Sequence, residues 1–244
     1  MLRRGLAILE CFTDATPEQS IASISSRTGL PPATVHRIVA VLVDWGGVER
    51  IARGRYRLGV RLWRIGALVP QTRTLRDVAL PYLEDLYEAT HGVVHLAILD
   101  GIEALYVEKI SGRHAVAVTS QVGRRLPLYA SGPGKVLIAY GEPDLLKQVL
   151  KAGLEPRTRR TITSETALRR ALSEIRKVGF AVSREEMSEG NASVAAPIFG
   201  TDGMVCASVA VVTTPQRLDV PVMGPVVTTV GRAISRALAR SKFA

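Results

Sequence analysis

Apolar positions in the first 46 residues recur at helical spacing in three short runs. The first predicts a helix over about 3–12, with Leu6, Leu9 and the neighbouring Ile8 on one side. The second predicts a helix over about 21–28. Ser20 is placed to cap it, Ile21 and Ile24 to face inward, and Gly29 to supply the positive φ that ends it. Small Ser25 leaves room for a neighbouring helix. The third run restarts at the prolines of "TGLPPATVHRIV" (28–39), which a first helical turn tolerates because an N–H there has no intrahelical partner. At about 100° per residue, Val35, Ile38, Val39, Leu42 and Trp45 share one arc. Ala33, His36, Arg37, Ala40 and Asp44 share the opposite one. A purely solvated face would carry Glu and Lys; this one is small and rich in donors, shaped to fit against a surface.

The next stretch, "GGVERIARGRYRLG" (46–59), alternates with period two around "ARGR". It predicts a hairpin with a basic tip: Val48, Arg50 and Ala52 point one way, and Tyr56 and Leu58 sit between Arg55 and Arg57 on the return. Two helices, a tight turn, a third helix and a hairpin make a winged helix-turn-helix whose third helix can enter a major groove. Arg37 could then read a guanine edge, Thr34 and His36 could reach phosphate or base, and Arg53 and Arg55 could hold backbone. Ser23, Arg27, Arg50 and Arg57 complete the candidate DNA-binding set.

Residues 60–69 continue as a short linker helix that "PQTR" (70–73) breaks. The predicted organisation is a DNA-binding domain at 1–59, a linker at 60–73 and a second domain at 74–244. The second domain begins with a helix over about 74–90, its apolar face made by Leu75, Val78, Ala79, Tyr82, Leu83 and Leu86. A hairpin turning at "DG" occupies 92–110, a strand lies near 114–120, and "GRRLPLYASGPG" is a loop. Helices at about 134–140, 142–152 and 165–178 follow, then strands at about 180–184, 192–199 and 204–212, and a last helix at 219–240. Mixed helices and hairpins predict an α+β domain with a largely antiparallel sheet.

Charge sharpens the first half of this picture. The chain of 244 residues carries a net +10, and 26 of its 32 basic residues are arginine. Residues 1–75 hold eleven arginines against five acids, a net of +6, so a polyanionic partner is expected there. No apolar run reaches the roughly 18–20 residues that span a bilayer, and "MLRRGLAILECF" reads as a helix rather than a cleaved leader. No membrane partner and a cytoplasmic location are expected. Cys11 and Cys206 suit a buried pair of free thiols and have no metal-ligand spacing.

Enzyme signals are weak. "SGPGKV" fails as a phosphate loop, because Tyr129 stands where the first glycine belongs and Val136 follows the lysine. Lys135 is therefore expected to cap or pair structurally. His91 and His95 straddle a helix–strand junction and His114 sits in a turn, so no catalytic pair, zinc site or cofactor is expected.

Four segments carry a family resemblance: "TGLPPATVHR", "GGVERIARGRYRLG", "VGRRLPLYASGPGKVLIA" (122–139) and "EEMSEGNASVAAPIF" (185–199). Through them nearly the whole chain resembles the IclR family of bacterial transcriptional regulators. The resemblance implies a C-terminal GAF-like domain that binds a small effector, and a dimer or dimer of dimers on palindromic double-stranded operator DNA. Two departures are mild: few residues precede the first helix, and Ala33 stands where many members have a hydroxyl. The effector site departs more. The resemblance places it around Ala115, Val118, Leu128, the loop Ser131, Gly132 and Pro133, and Ser183, Ser193, Ala210 and Val212. Pro133 removes one backbone donor from a loop that holds a carboxylate. Ser183 replaces a commonly acidic residue, Ser193 a common cysteine, and Ala210 and Val212 replace serines of members that bind small keto acids. A roomier, more apolar cavity follows, suited to an aromatic or branched acid, because a tiny charged acid would find too few partners to replace its hydration. The alternative is a DNA-binding oligomer whose C-terminal domain is only structural and binds no effector.

Overall fold

The computed structural model describes residues 1–13, 16–51, 54–113 and 115–241, with the backbone alone at 70–73. It divides into two compact units, Met1–Arg73 and Thr74–Ala244.

The first unit contains α1 (Leu2–Leu9), β1 (Glu18–Ser20), α2 (Ile21–Thr28), α3 (Pro32–Trp45), β2 (Val48–Ile51), β3 (Arg55–Leu58) and α4 (Val60–Gly66). The Ser20 side chain accepts the Ser23 N–H as the N-cap of α2, and Gly29 ends that helix in the left-handed region at φ 68°. Ser20→Ala should cost this unit about 1 kcal/mol, read as a shift in its urea midpoint. The core joins Ile8, Ile24, Val35, Ile38, Val39, Val48 and Tyr56. Two sequence expectations change here. Ile8 and Leu6 do not share a side: Ile8 is fully buried, whereas Leu6 is 50% exposed. Two residues along a helix turn the side chain by about 200°, so α1 carries two apolar faces and the core covers one. The wing is also wider than a hairpin, because β1 pairs antiparallel with β3 and the strand order is β1-β3-β2. A three-residue strand, Glu-Gln-Ser, has no apolar alternation to announce it. Ala52 and Arg53, at the hairpin tip, lie outside the described residues.

Next comes α5 (Pro70–Thr90), which starts at Pro70 rather than at 74. The proline occupies the first helical position, where its missing N–H costs nothing, so "PQTR" opens the long helix and α4 ends at Gly66.

The second unit continues with β4 (Val93–Asp100), β5 (Glu103–Ile110), β6 (Arg125–Pro127), a 3-10 turn at Leu128–Ala130, α6 (Gly132–Tyr140), α7 (Pro143–Ala152), α8 (Glu165–Val178), β7 (Ala181–Arg184), β8 (Ala192–Phe199), β9 (Val205–Thr213) and α9 (Val220–Arg240). The sheet order is β6-β5-β4-β9-β8-β7 and every pairing is antiparallel. The strand expected near 114–120 is a correction. Residues 115–120 are irregular, and the chain rejoins β5 only at β6, with His114 outside the described residues. "AVAVT" alternates like a strand, but the 123–127 stretch takes the β5 edge: Gly123 N–H donates to Tyr106 O, and Tyr106 N–H to Arg124 O.

Alternation along β8 and β9 separates two cores. Val194, Ala196, Ile198, Ala207, Val209 and Val211 face α5 and α9. Ala195 and Ala210, on the opposite face, pack under α6, α7 and α8. Those residues are small, and α6 sits close: a Cβ on Gly132 would meet Ser193 Oγ at 2.6 Å. Cys206 is exposed and Cys11 buried, so the thiols are not a buried pair. No helix among the described residues is long and apolar enough to cross a membrane.

Candidate functional site

On α3 the Pro31–Pro32 start leaves Thr34 half-buried and His36 and Arg37 exposed, on the side opposite buried Val35, Ile38 and Val39. Neither His36 nor Arg37 has an ion-pair or hydrogen-bond partner among the described residues, and small Ala33 and Ala40 flank them on the same exposed side. The other candidates divide. Arg50 is exposed. Arg55 lies 3.4 Å from the Glu18 carboxylate and donates to its backbone carbonyl, and Arg57 meets Glu49 at 2.8 Å. Arg27, itself exposed, donates to Cys11 O at 2.8 Å, and the half-buried Ser23 donates its hydroxyl to Gln19. Arg53 is outside the described residues.

In the second unit a cavity of about 50 Å³ lies against the start of α6, strands β7 and β8, and the segments 118–120 and 187–192. Its walls include Val118, Ser131, Gly132, Pro133, Ser183, Ser193 and Val212, as expected. Ala115, Leu128 and Ala210 do not line it. Leu128 and Ala210 are fully buried in the core beneath α6. Tyr106, Leu126 and Met187 also stand in its wall.

Residues that sequence reasoning missed include Thr119, Ser120, Ser188 and Asn191. The first two were hidden by the wrongly expected strand. The last two lie in "EEMSEGNASVAAPIF", a segment already singled out, but only the tertiary fold brings its loop over the cavity: Asn191 Nδ2 donates to Ala117 O at 3.0 Å and to Ser188 Oγ at 2.8 Å.

The polar groups are unequally available. Ser131 caps α6, accepting from Gly134 N–H and donating to Pro127 O. Pro133 has no N–H to offer from that loop and the Gly134 N–H is held by Ser131, whereas the Gly132 N–H has no partner among the described residues. Ser183 and Ser193, paired across β7 and β8, keep their hydroxyls without partners among the described residues. Lys135 cannot serve as a counter-charge. It is 2% exposed, and its ammonium binds Glu186 at 2.5 Å and Val182 O at 2.9 Å. Burial pushes its pKa down, and Glu186 opposes that shift. The lysine thus pairs structurally, as expected. Beneath the cavity, His95 is buried, with Nε2 2.8 Å from Ser120 Oγ and its ring edge-on to Tyr106 at 5.1 Å. No group of three metal-ligating side chains occurs among the described residues.

A helix-turn-helix with an unpartnered basic face on α3, followed by an α+β unit that carries a partly polar, half-open cavity, defines a transcriptional regulator with a C-terminal ligand-binding domain. The family description "IclR helix-turn-helix domain" matches residues 1–52, and "Bacterial transcriptional regulator IclR C-terminal" matches residues 68–236. The chain belongs to the IclR family of bacterial transcriptional regulators. It is 36% identical to the HTH-type transcriptional regulator XynR of Escherichia coli over 89% of this chain and 87% of that one. An IclR homolog from Microbacterium hydrocarbonoxydans, solved in complex with 4-hydroxybenzoate, superposes with a TM-score of 0.93 at 31% identity, covering 98% of this chain and 99% of that one. The Thermotoga maritima IclR structure superposes with a TM-score of 0.79 at 30% identity, covering 98% of each chain.

Proposed function

We propose that this chain reads a palindromic operator as a dimer or dimer of dimers, with its affinity set by an aromatic or branched organic acid in the C-terminal cavity. Dimerisation is supported by apolar surface left uncovered in the first unit: Leu2, Leu6, Trp63, Ile65 and Leu68 are each at least half exposed. Exposed large apolar side chains such as Trp63 and Ile65 on α4, and Leu68 just beyond it, suit a partner surface, and a two-fold pair of winged helices sets the spacing of two half-sites.

Arg37 and His36 read bases, Thr34 reaches the backbone, and Arg50 and Arg55 hold the wing. Arg37→Ala should cost roughly 1–3 kcal/mol at one operator position and relax its sequence preference. Arg55→Ala should weaken all sequences alike and lower the salt slope by about one. Fluorescence anisotropy on operator and random duplexes separates the two. An Arg37→Ala loss that is equal on both DNAs removes Arg37 from base reading.

The effector class rests on one observation: Val118, Leu126, Pro133, Met187 and Val212 make the exposed wall of the cavity more apolar than polar, and Pro133 offers no N–H. The 4-hydroxybenzoate bound by the Microbacterium homolog supports the same class. Met187, whose unbranched thioether re-packs readily, stands in the wall and lets it adapt to such a ligand. A ligand that favours one state of this unit shifts operator affinity by its difference in affinity for the two states. Calorimetry with benzoate, 4-hydroxybenzoate, a branched 2-oxo acid, pyruvate and glyoxylate tests this: preference for the last two refutes it. If no small acid binds or shifts operator affinity, the purely structural alternative holds.

A further inference from the structure

We propose that His95 is a positioning residue for the cavity: as its Nε2–H tautomer it donates to Ser120 Oγ and frees the Ser120 proton to meet a carboxylate oxygen of the ligand. The proposal rests on the reading of the cavity as an acid-binding site.

His95 lies on β4 with no exposure, and Tyr106 holds its ring plane edge-on. Its Nε2 is 2.8 Å from Ser120 Oγ, while its buried Nδ1 has no hydrogen-bond partner among the described residues. Burial lowers its pKa to about 3, and Lys109, opposite it on β5, pushes the same way. The ring is therefore neutral near pH 7 and carries one N–H. With that proton on Nδ1, a buried donor would be stranded, which folded proteins rarely tolerate. With the proton on Nε2, the donor is used and only an acceptor is left unpaired, the cheaper defect. The Ser120 oxygen then accepts from the ring, and its own proton has no other taker among the described residues.

Ser120 is 4% exposed and lines the cavity. Its position matters because three groups beside it offer no donor, leaving Ser183, Ser193 and the Gly132 N–H: Pro133 has no N–H, Ser131 is occupied by Pro127 and Gly134, and Lys135 is neutralised by Glu186. A histidine-oriented hydroxyl thus supplies the donor that the proline removed, using a residue outside the segments that carry the family resemblance.

Two measurements on the full-length chain test it. Nitrogen-15 NMR, with His95 assigned by its disappearance in His95→Gln, should show a protonated, pyrrole-type Nε2 and a bare, pyridine-type Nδ1. The reverse pattern overturns the proposal whether or not any ligand binds. Calorimetry with benzoate as the probe should show about tenfold weaker binding for Ser120→Ala, as expected for a hydrogen bond to a charged group. His95→Phe should lose a similar factor, whereas His95→Gln, whose amide N–H reaches the same oxygen, should stay within about twofold of the native chain. Native-like benzoate affinity in both Ser120→Ala and His95→Phe overturns the role in binding. If the native chain binds no acid, the cavity reading falls and takes the ligand half of the proposal with it, while the spectrum still decides the tautomer.

Discussion

Replacing Lys135 with methionine should lower the stability of the second unit by about 3–5 kcal/mol, the usual cost of removing one partner of a buried ion pair. The substitution keeps the length and apolar stem of the side chain, so little packing is lost. What remains is the Glu186 carboxylate, enclosed beside the cavity. Its Oε2 has no hydrogen-bond partner even in the native chain, among the described residues, and its Oε1 would lose the ammonium. The Val182 carbonyl would lose its Lys135 donor too. Adding Glu186→Leu should recover most of the loss, because a buried pair replaced by apolar groups of similar size is often neutral. Urea unfolding followed by far-ultraviolet circular dichroism reads the helices of both units, whereas fluorescence of Trp45 and Trp63 reads only the first. A double variant as unstable as Lys135→Met alone would show that the lysine acts through packing rather than charge.

Acid should weaken the second unit specifically through His95. Its folded pKa of about 3 lies below the ordinary 6.5, so the unfolded chain takes up the proton more readily. This contribution is complete above pH 6.5 and is lost as pH falls from there toward 3. By linkage the loss is about 2 kcal/mol at pH 5 and roughly 3 kcal/mol at pH 4. His95→Gln does not titrate, so the difference in unfolding free energy between the native chain and this variant should change by those amounts between pH 7 and pH 4. A pH-independent difference would mean that the folded unit accepts the proton as readily as the unfolded chain.

These two residues mark where sequence reading stopped. A role in structural pairing was legible for Lys135, because "SGPGKV" fails as a phosphate loop, but its partner stands 51 residues away in a loop with no periodicity. His95 read as an inert strand residue, and its link to Ser120 was hidden because "AVAVT" imitates a strand that the β5 edge does not receive. The exposed basic face of α3 was far more legible. Gly29, the double proline and one arc of α3 are local signals, and His36 and Arg37 emerge exposed as that arc requires. The cavity was legible in part. Ser183 and Ser193 line it as expected, whereas Ala210 and Leu128 disappear beneath α6, whose close approach depends on small residues from separate strands.

Periodicity, caps and turn residues determined most helices, the main strands and the exposed basic face of α3, since each depends on neighbours within one or two turns of chain. Tertiary structure alone decided the β1 strand, the edge taken by β6, the Lys135–Glu186 pair and the His95–Ser120 contact. Each of those joins segments that are distant along the chain, and burial sets its energy: a lone polar group is costly only after the fold has removed the water around it.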